Sequence, residues 1–320
     1  LAANDVRRIA VVGDREQIWV ASDAGVTVSA GADSAFYDTG NSPLTANRVG
    51  ALAADPDGAV WLGGEGALYR VQDEDWTVYA ADQVQGDFPA KLITALAFAP
   101  DGSLWLGSSD AEICRFDVDQ GRCADFFAGE EGMAAGPLTN LAVDTSGRVY
   151  YTTAGNGYAV YDGGTWRSFA VRNPQLIGNR VKALATDADG TLWAATEAGV
   201  QQLVAGEPPR LFDAANGGPT PLGVRTLLGG PEGGIWVGGQ QGGSFFDGEE
   251  WQSFTAQTGL AGDTVQAITV DGEGRTWFGT DRGLSVWNGT SFFNITRTQG
   301  LPSDDVRALA ADPAGVWIGT

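Results

Sequence analysis

A chain of 320 residues with 43% hydrophobic content has enough apolar material for a sizeable core, which argues against wholesale disorder. Its formal charge of -21, from 19 cations against 40 acids, repels phosphate and argues against nucleic acid or an anionic membrane surface as partner. No apolar run approaches the roughly 18 residues of a membrane helix. There is no histidine, which removes Ser-His-Asp and Cys-His catalysis, the usual zinc ligand sets and any histidine general base.

Taken in chain order, one sentence repeats. It reads RVGALAADPDGAVWLGG from Arg48, ITALAFAPDGSLWLGS from Ile93, RVKALATDADGTLWAAT from Arg180, VQAITVDGEGRTWFGTDRGL over 265–284, and VRALAADPAGVWIGT over 306–320. A Trp marks the period at Trp19, Trp61, Trp105, Trp193, Trp236, Trp277 and Trp317, with Tyr150 filling the gap, at spacings of 40 to 45 residues. The aliphatic residue opening each unit keeps the same step: Val6, Val49, Ile93, Leu138, Val181, Val224, Val265, Val306.

Each period holds four strand-like runs, in the second unit 49–53, 59–62, 67–71 and 76–80. Turns of the D-P-D-G and D-G-E-G kind join the first two, Gly supplying the positive φ. A polar loop ending in Gly, such as Thr280-Asp-Arg-Gly283, precedes the third. Four antiparallel strands per 40 to 45 residues predict an all-β chain, a β-propeller of four-stranded blades. One repeat domain is expected over 1–320, with seven complete units and half of an eighth. The ring is expected to be seven- or eight-bladed, eight preferred because the last first strand needs a neighbour. Leu1 is no initiator Met and no targeting stretch follows it, so a piece of a longer protein is expected.

The pattern V-x-A-L-A-x-D-x-x-G-x-x-W-x-G-T-x-x-G-L resembles the two-component regulator propeller repeat, best at Asp271, Gly274, Trp277, Gly279, Thr280, Gly283 and Leu284. The resemblance implies an extracytoplasmic location, periplasmic or cell-surface, and a sensor role in a two-component system with a small-molecule or oligosaccharide ligand. A surface scaffold for a protein partner is the alternative, and a propeller-fold lyase or glycosidase the third. Two units depart from the pattern: the fourth has Tyr150-Tyr-Thr-Thr, and the sixth has Gln240-Gln-Gly-Gly243 in its loop.

No catalytic residue, metal or cofactor is expected. The D-x-D-G turns lack the distal Glu of a calcium loop and are explained as turns. The informative register is the residue after each opening aliphatic: Arg7, Gly50, Thr94, Thr139, Lys182, Arg225, Gln266 and Arg307, with Arg48 and Arg180 just before the strand in their units. First strands of a propeller converge on its axis, so these side chains are expected to form a collar at a channel mouth. Such a collar suits an acidic or hydroxyl-rich ligand. The competing reading is local neutralisation by Asp5, Asp263, Asp304 and Asp305. Second candidates are Asp281 and Arg282 in their loop, and the long connections 81–91 and 172–179. Trp76, Trp166, Trp251 and Trp287 lie off the ruler and read as core before they read as sugar platforms. Cys114 and Cys123 flank a turn and either form a disulfide in an oxidising compartment or stay free thiols.

Overall fold

The computed structural model describes residues 8–12, 17–30, 33–55, 57–84, 86–169, 181–196, 199–204, 210–213, 218, 223–230, 233–312 and 315–320. The chain divides into two compact units, Leu1–Ser168 and Phe169–Thr320. The first holds antiparallel sheets over 8–37, 51–80, 93–127 and 138–169, the last strand ending one residue past the boundary. The second holds sheets over 181–212, 226–254 and 265–295, and then a hairpin of Ala308–Asp312 with Gly315–Gly319. Every four-stranded sheet is a meander with its strands in sequence order. The chain is thus a β-propeller of four-stranded antiparallel blades, seven of them complete, with the eighth unit present as a hairpin.

The repeated residues build the blade. In blade 2, Ala51–Ala54 pairs with Val60–Gly63, which pairs with Ala67–Gln72, which pairs with Asp75–Ala80. The second strand is buried along its whole length in blades 2, 3 and 6, because neighbouring blades cover both faces. That is why the repeat is unbroken V-W-L-G rather than alternating. The fourth strand keeps polar residues outward, as in Trp251–Phe254.

The turn aspartate does more than shape its turn. In blade 5 the Asp187 carboxylate accepts from the Thr191 amide and from the indole Nε1 of buried Trp193, both at 2.8 Å. Asp55 repeats this with Trp61 at 3.1 Å and Asp271 with Trp277 at 2.7 Å. In blade 4 the Tyr150 hydroxyl donates to Asp144 at 3.0 Å, so the departure from Trp preserves the bond. Burial on its own pushes the Asp144 and Asp271 carboxyls up. The donors outweigh it and hold both below the usual range: Ser146, Arg148 and Tyr150 for Asp144, Trp277, Arg275 and Glu273 for Asp271.

The Gly of W-x-G is a contact residue. A Cβ on Gly238 would lie 2.6 Å from the Val265 side chain that opens the next unit, and one on Gly279 would lie 2.7 Å from Val306. Gly63 and Gly107 meet Ile93 and Leu138 in the same way, each at 2.6 Å. The opening aliphatics are fully or almost fully buried there. The off-ruler tryptophans pack against aromatics of the preceding blade: Trp76 on Tyr37, Trp166 on Phe127, Trp251 on Phe212, Trp287 on Phe254, with centroids 5.1 to 5.5 Å apart.

Candidate functional site

The register after the opening aliphatic is structurally special. In blade 5 Val181 pairs with Thr196 and Ala183 with Ala195, so Lys182 has no partner of its own. In blade 7 Val265 pairs with Thr280 and Ala267 with Gly279, leaving Gln266 extra. Arg225 donates its amide to the Gly238 carbonyl while Thr226 pairs with Gly238, and Arg307 and Ala308 share Gly319 likewise. Each is the extra residue of a β-bulge, which releases one side chain from the strand's two-face alternation. Val265 and Val306, just before two of these bulges, anchor against Gly238 and Gly279 of the preceding blade, while the bulged Lys182, Arg225 and Arg307 are exposed and Gln266 is half-buried.

Among the described residues of the first unit this register is spent on structure. A Cβ on Gly50 would lie 2.5 Å from the Ile93 carbonyl oxygen. The Thr94 hydroxyl donates to the Leu138 carbonyl at 3.0 Å, and the Thr139 hydroxyl bonds that of Thr152 at 2.8 Å. In the second unit the register brings Lys182, Arg225, Gln266 and Arg307 to one open cleft of about 460 Å³, with Gln240 also on its wall. The volume falls in the range of small-ligand pockets. Gly223 underlies it: a Cβ there would meet Gln240 Oε1 at 2.9 Å.

The acids thought to neutralise the register divide. Asp305 accepts from Arg307 Nε and from Arg307 Nη2, both at 2.8 Å, and from Gln266 Nε2 at 2.6 Å. The Gln266 bond does most to hold the Asp305 carboxyl below its ordinary range, with Arg307 bonding it and the charges of Arg307 and Arg225 adding to the effect against burial. Asp263 and Asp304 instead accept from the amides of Ala256 and Arg297, each at 2.7 Å, tying down the short 3-10 turns of their loops. Among the described residues, neither Lys182 nor Arg225 makes an ion pair. Among the described residues the cleft is therefore lined by three cations, with the one carboxylate of Asp305 bonded to two of its lining residues, in a chain whose formal charge is -21.

The other expected site residues lie elsewhere. Asp5, Arg7, Arg180 and the connection 172–179 fall outside the described residues. Arg48 belongs to the first unit, where its Nε lies 3.4 Å from Asp23. Asp281 and Arg282 are exposed in their loop and do not line the cleft. Asp281 exchanges hydrogen bonds with the Thr264 backbone, and the Arg282 amide donates to Thr280 Oγ1. Connection 81–91 is tied down, with Phe88 buried against Phe116 and the Ala90 amide bonded to Glu112. Cys114 and Cys123 are disulfide-bonded across the hairpin, their Cα atoms 5.6 Å apart. A second cleft, of about 750 Å³ in the first unit, is lined by Asp55, Asp57, Asp101, Asp117, Asp119 and Arg115. Asp55, Asp101 and Asp117 there accept from the backbone amides of their own turns.

Gln240 and Gly223 escape the reading of registers, because they sit in loops that no period numbers. The departure of Gln240-Gln-Gly-Gly243 from the repeat is the signal that points to Gln240.

The family described as Two component regulator propeller matches residues 175–198 and 259–282. No curated protein sequence matches the chain. Among solved structures, it is similar to the extracellular domain of a hybrid two component system of B. thetaiotaomicron, at 17% identity and a TM-score of 0.63. That match covers 98% of this chain and 51% of the other, so the chain spans about half that domain's length. It is also similar to PorZ, a surface component of the type-IX secretion system of Porphyromonas gingivalis, at 15% identity and a TM-score of 0.63, covering 100% of this chain and 52% of PorZ. A third similar structure is a catalytically inactive virginiamycin B lyase of Staphylococcus aureus with quinupristin, at 16% identity and a TM-score of 0.63 over 87% of this chain and 93% of the lyase. At these identities the likeness shows the fold alone.

Proposed function

We propose that this chain, which carries two-component regulator propeller repeats, is the non-catalytic recognition region of an extracytoplasmic bacterial sensor. It takes a small molecule or oligosaccharide at the cleft of Lys182, Arg225, Gln240, Gln266 and Arg307. The observation that carries the reading is the bulge register of the second unit, which gathers scarce cations at one opening and leaves Lys182 and Arg225 without ion-pair partners among the described residues. Repeats whose other positions are architectural gain nothing structural from exposed cations there.

The location agrees with a disulfide-bonded hairpin, which persists in oxidising compartments. It also agrees with the likeness to an extracellular domain of a two component system. The absence of catalysis agrees with the residue inventory. The similar lyase is catalytically inactive as a His-to-Ala variant, and this chain has no histidine to offer.

A thermal-shift screen of a glycan panel tests the reading, since a ligand that binds only the folded state raises apparent stability by about 2.7 kcal/mol at a hundredfold excess over Kd. At least one glycan class is expected to raise the melting temperature of the wild type and to lose that effect in the Lys182→Ala/Arg225→Ala double variant. A glycan that stabilises both proteins equally would move the site away from this cleft.

A further inference from the structure

Given the cleft as the recognition site, we infer that its ligand is an acidic sugar, a saccharide bearing a carboxylate, and that Asp305 is a built-in competitor for that carboxylate. The argument begins with charge. A chain at -21 repels anions at long range, so an anion is held only where the local sign is reversed. The described residues of the cleft offer that reversal with three cations against one carboxylate. Lys182 and Arg225 have no ion-pair partner among the described residues and stand exposed on bulges. Arg225 presents a planar fork suited to a carboxylate's two oxygens.

The neutral half of the wall fits the rest of such a ligand. Gln240 and Gln266 bring amide groups, which both donate to and accept from sugar hydroxyls. Gly223 leaves the space in which the Gln240 side chain stands. A purely neutral sugar would use the amides and leave the cations idle. A bare inorganic anion would use the cations and leave the amides idle. A uronic acid engages both.

Asp305 gives the site its threshold. Its two oxygens occupy Arg307 and the Gln266 Nε2 hydrogen in the free protein. Removing that charge while keeping an acceptor for Gln266 frees the Arg307 guanidinium for the ligand. Asp305→Asn is therefore expected to tighten binding, an outcome that a damaged fold does not mimic.

The test is calorimetric titration of the whole chain with trigalacturonate and with the matching neutral α-1,4-galactotriose. Mannuronate and glucuronate oligomers extend the acidic arm. At least one acidic oligomer is expected to bind ten times or more tighter than its neutral counterpart. Raising NaCl from 0.05 to 0.5 M weakens the acidic ligand and leaves the neutral one unchanged. Lys182→Ala and Arg225→Ala each lose about tenfold for the acidic oligomer, Arg282→Ala loses nothing, and Asp305→Asn gains severalfold. Equal binding of the neutral sugar, weakened alike by Arg225→Ala, would overturn the acidic class while keeping the cleft as the site. Binding indifferent to Lys182→Ala and Arg225→Ala would overturn the cleft as well. Failure of every acidic oligomer to bind would overturn the inference.

Discussion

Replacing Asp187 with Asn changes almost no volume and tests why the first-turn register holds an acid in blades 2, 4, 5 and 7, at Asp55, Asp144, Asp187 and Asp271. One carboxylate oxygen accepts from the Thr191 amide and the other from Trp193 Nε1, both at 2.8 Å. Asp187 is 8% exposed and Trp193 1%, so water replaces neither bond readily. An amide offers one acceptor and one NH2. Whichever way the substituted side chain turns, a donor faces a donor, and one buried N–H goes unsatisfied. Hydrogen bonds to a charged group contribute about 1.5–3 kcal/mol each, and an orphaned buried donor costs about 1–3 kcal/mol. Weakening one bond and losing the other therefore costs about 2–4 kcal/mol, nearly as much as Asp187→Ala. Urea unfolding of the wild type and both variants, followed by tryptophan fluorescence, measures it, with Asp119→Asn on an exposed turn as control. A loss below about 0.5 kcal/mol in Asp187→Asn, with the slope unchanged, would refute the reasoning and reduce the acid to turn propensity.

Other consequences follow from the same architecture. Gly238→Ala drives a methyl to within 2.6 Å of Val265 and 2.8 Å of Thr226, so a loss of about 1–3 kcal/mol is expected by denaturation, whereas Gly147→Ser, with nothing within 4 Å but a φ of +83°, is expected to show only local backbone strain. The Asp144 and Asp271 carboxyls titrate below their unfolded values, so the stability they add is full above the unfolded carboxylate pKa of about 4 and is lost as pH falls through the folded value. The stability gap between wild type and Asp271→Asn should accordingly narrow as pH falls below the unfolded carboxylate value of about 4, and a constant gap would contradict the assignment. The Cys114–Cys123 bridge closes a span of 9 residues, for which loop entropy predicts about 2.5–3 kcal/mol. Melting with and without reductant, beside a Cys114→Ala/Cys123→Ala variant, should show that loss. Tyr150→Phe removes the donor to Asp144 and should cost about 1.5–3 kcal/mol, and Tyr150→Trp should restore most of it.

Much of the fold is legible in the chain because a repeat prints its own ruler. The period, the four strands per unit and the turns at Asp-x-x-Gly all follow from local chemistry. What that chemistry does across the blade is harder to read. The indole of Trp193 reaching back to Asp187, or the methyl-sized gap at Gly238 filled by Val265, needs the pairing of distant residues before it becomes visible. The bulge is hidden for the same reason. Lys182 and Gln266 look like ordinary strand residues until their neighbours are matched and they are left over. The cationic register itself is plain in the sequence. Its gathering in the second unit, with Thr94 and Thr139 bonded internally in the first, is not. Sequence also offers Asp263, Asp304 and Asp305 as equal partners for the cations. Only geometry separates Asp305 from two acids bonded to backbone amides.

The most direct measurement is hydrogen–deuterium exchange of the whole chain with and without a bound acidic oligosaccharide. Protection confined to segments around Lys182, Arg225, Gln240, Gln266 and Arg307 is the predicted result. Protection at the first unit's acidic cleft or at 281–282, with these segments unchanged, would contradict the account.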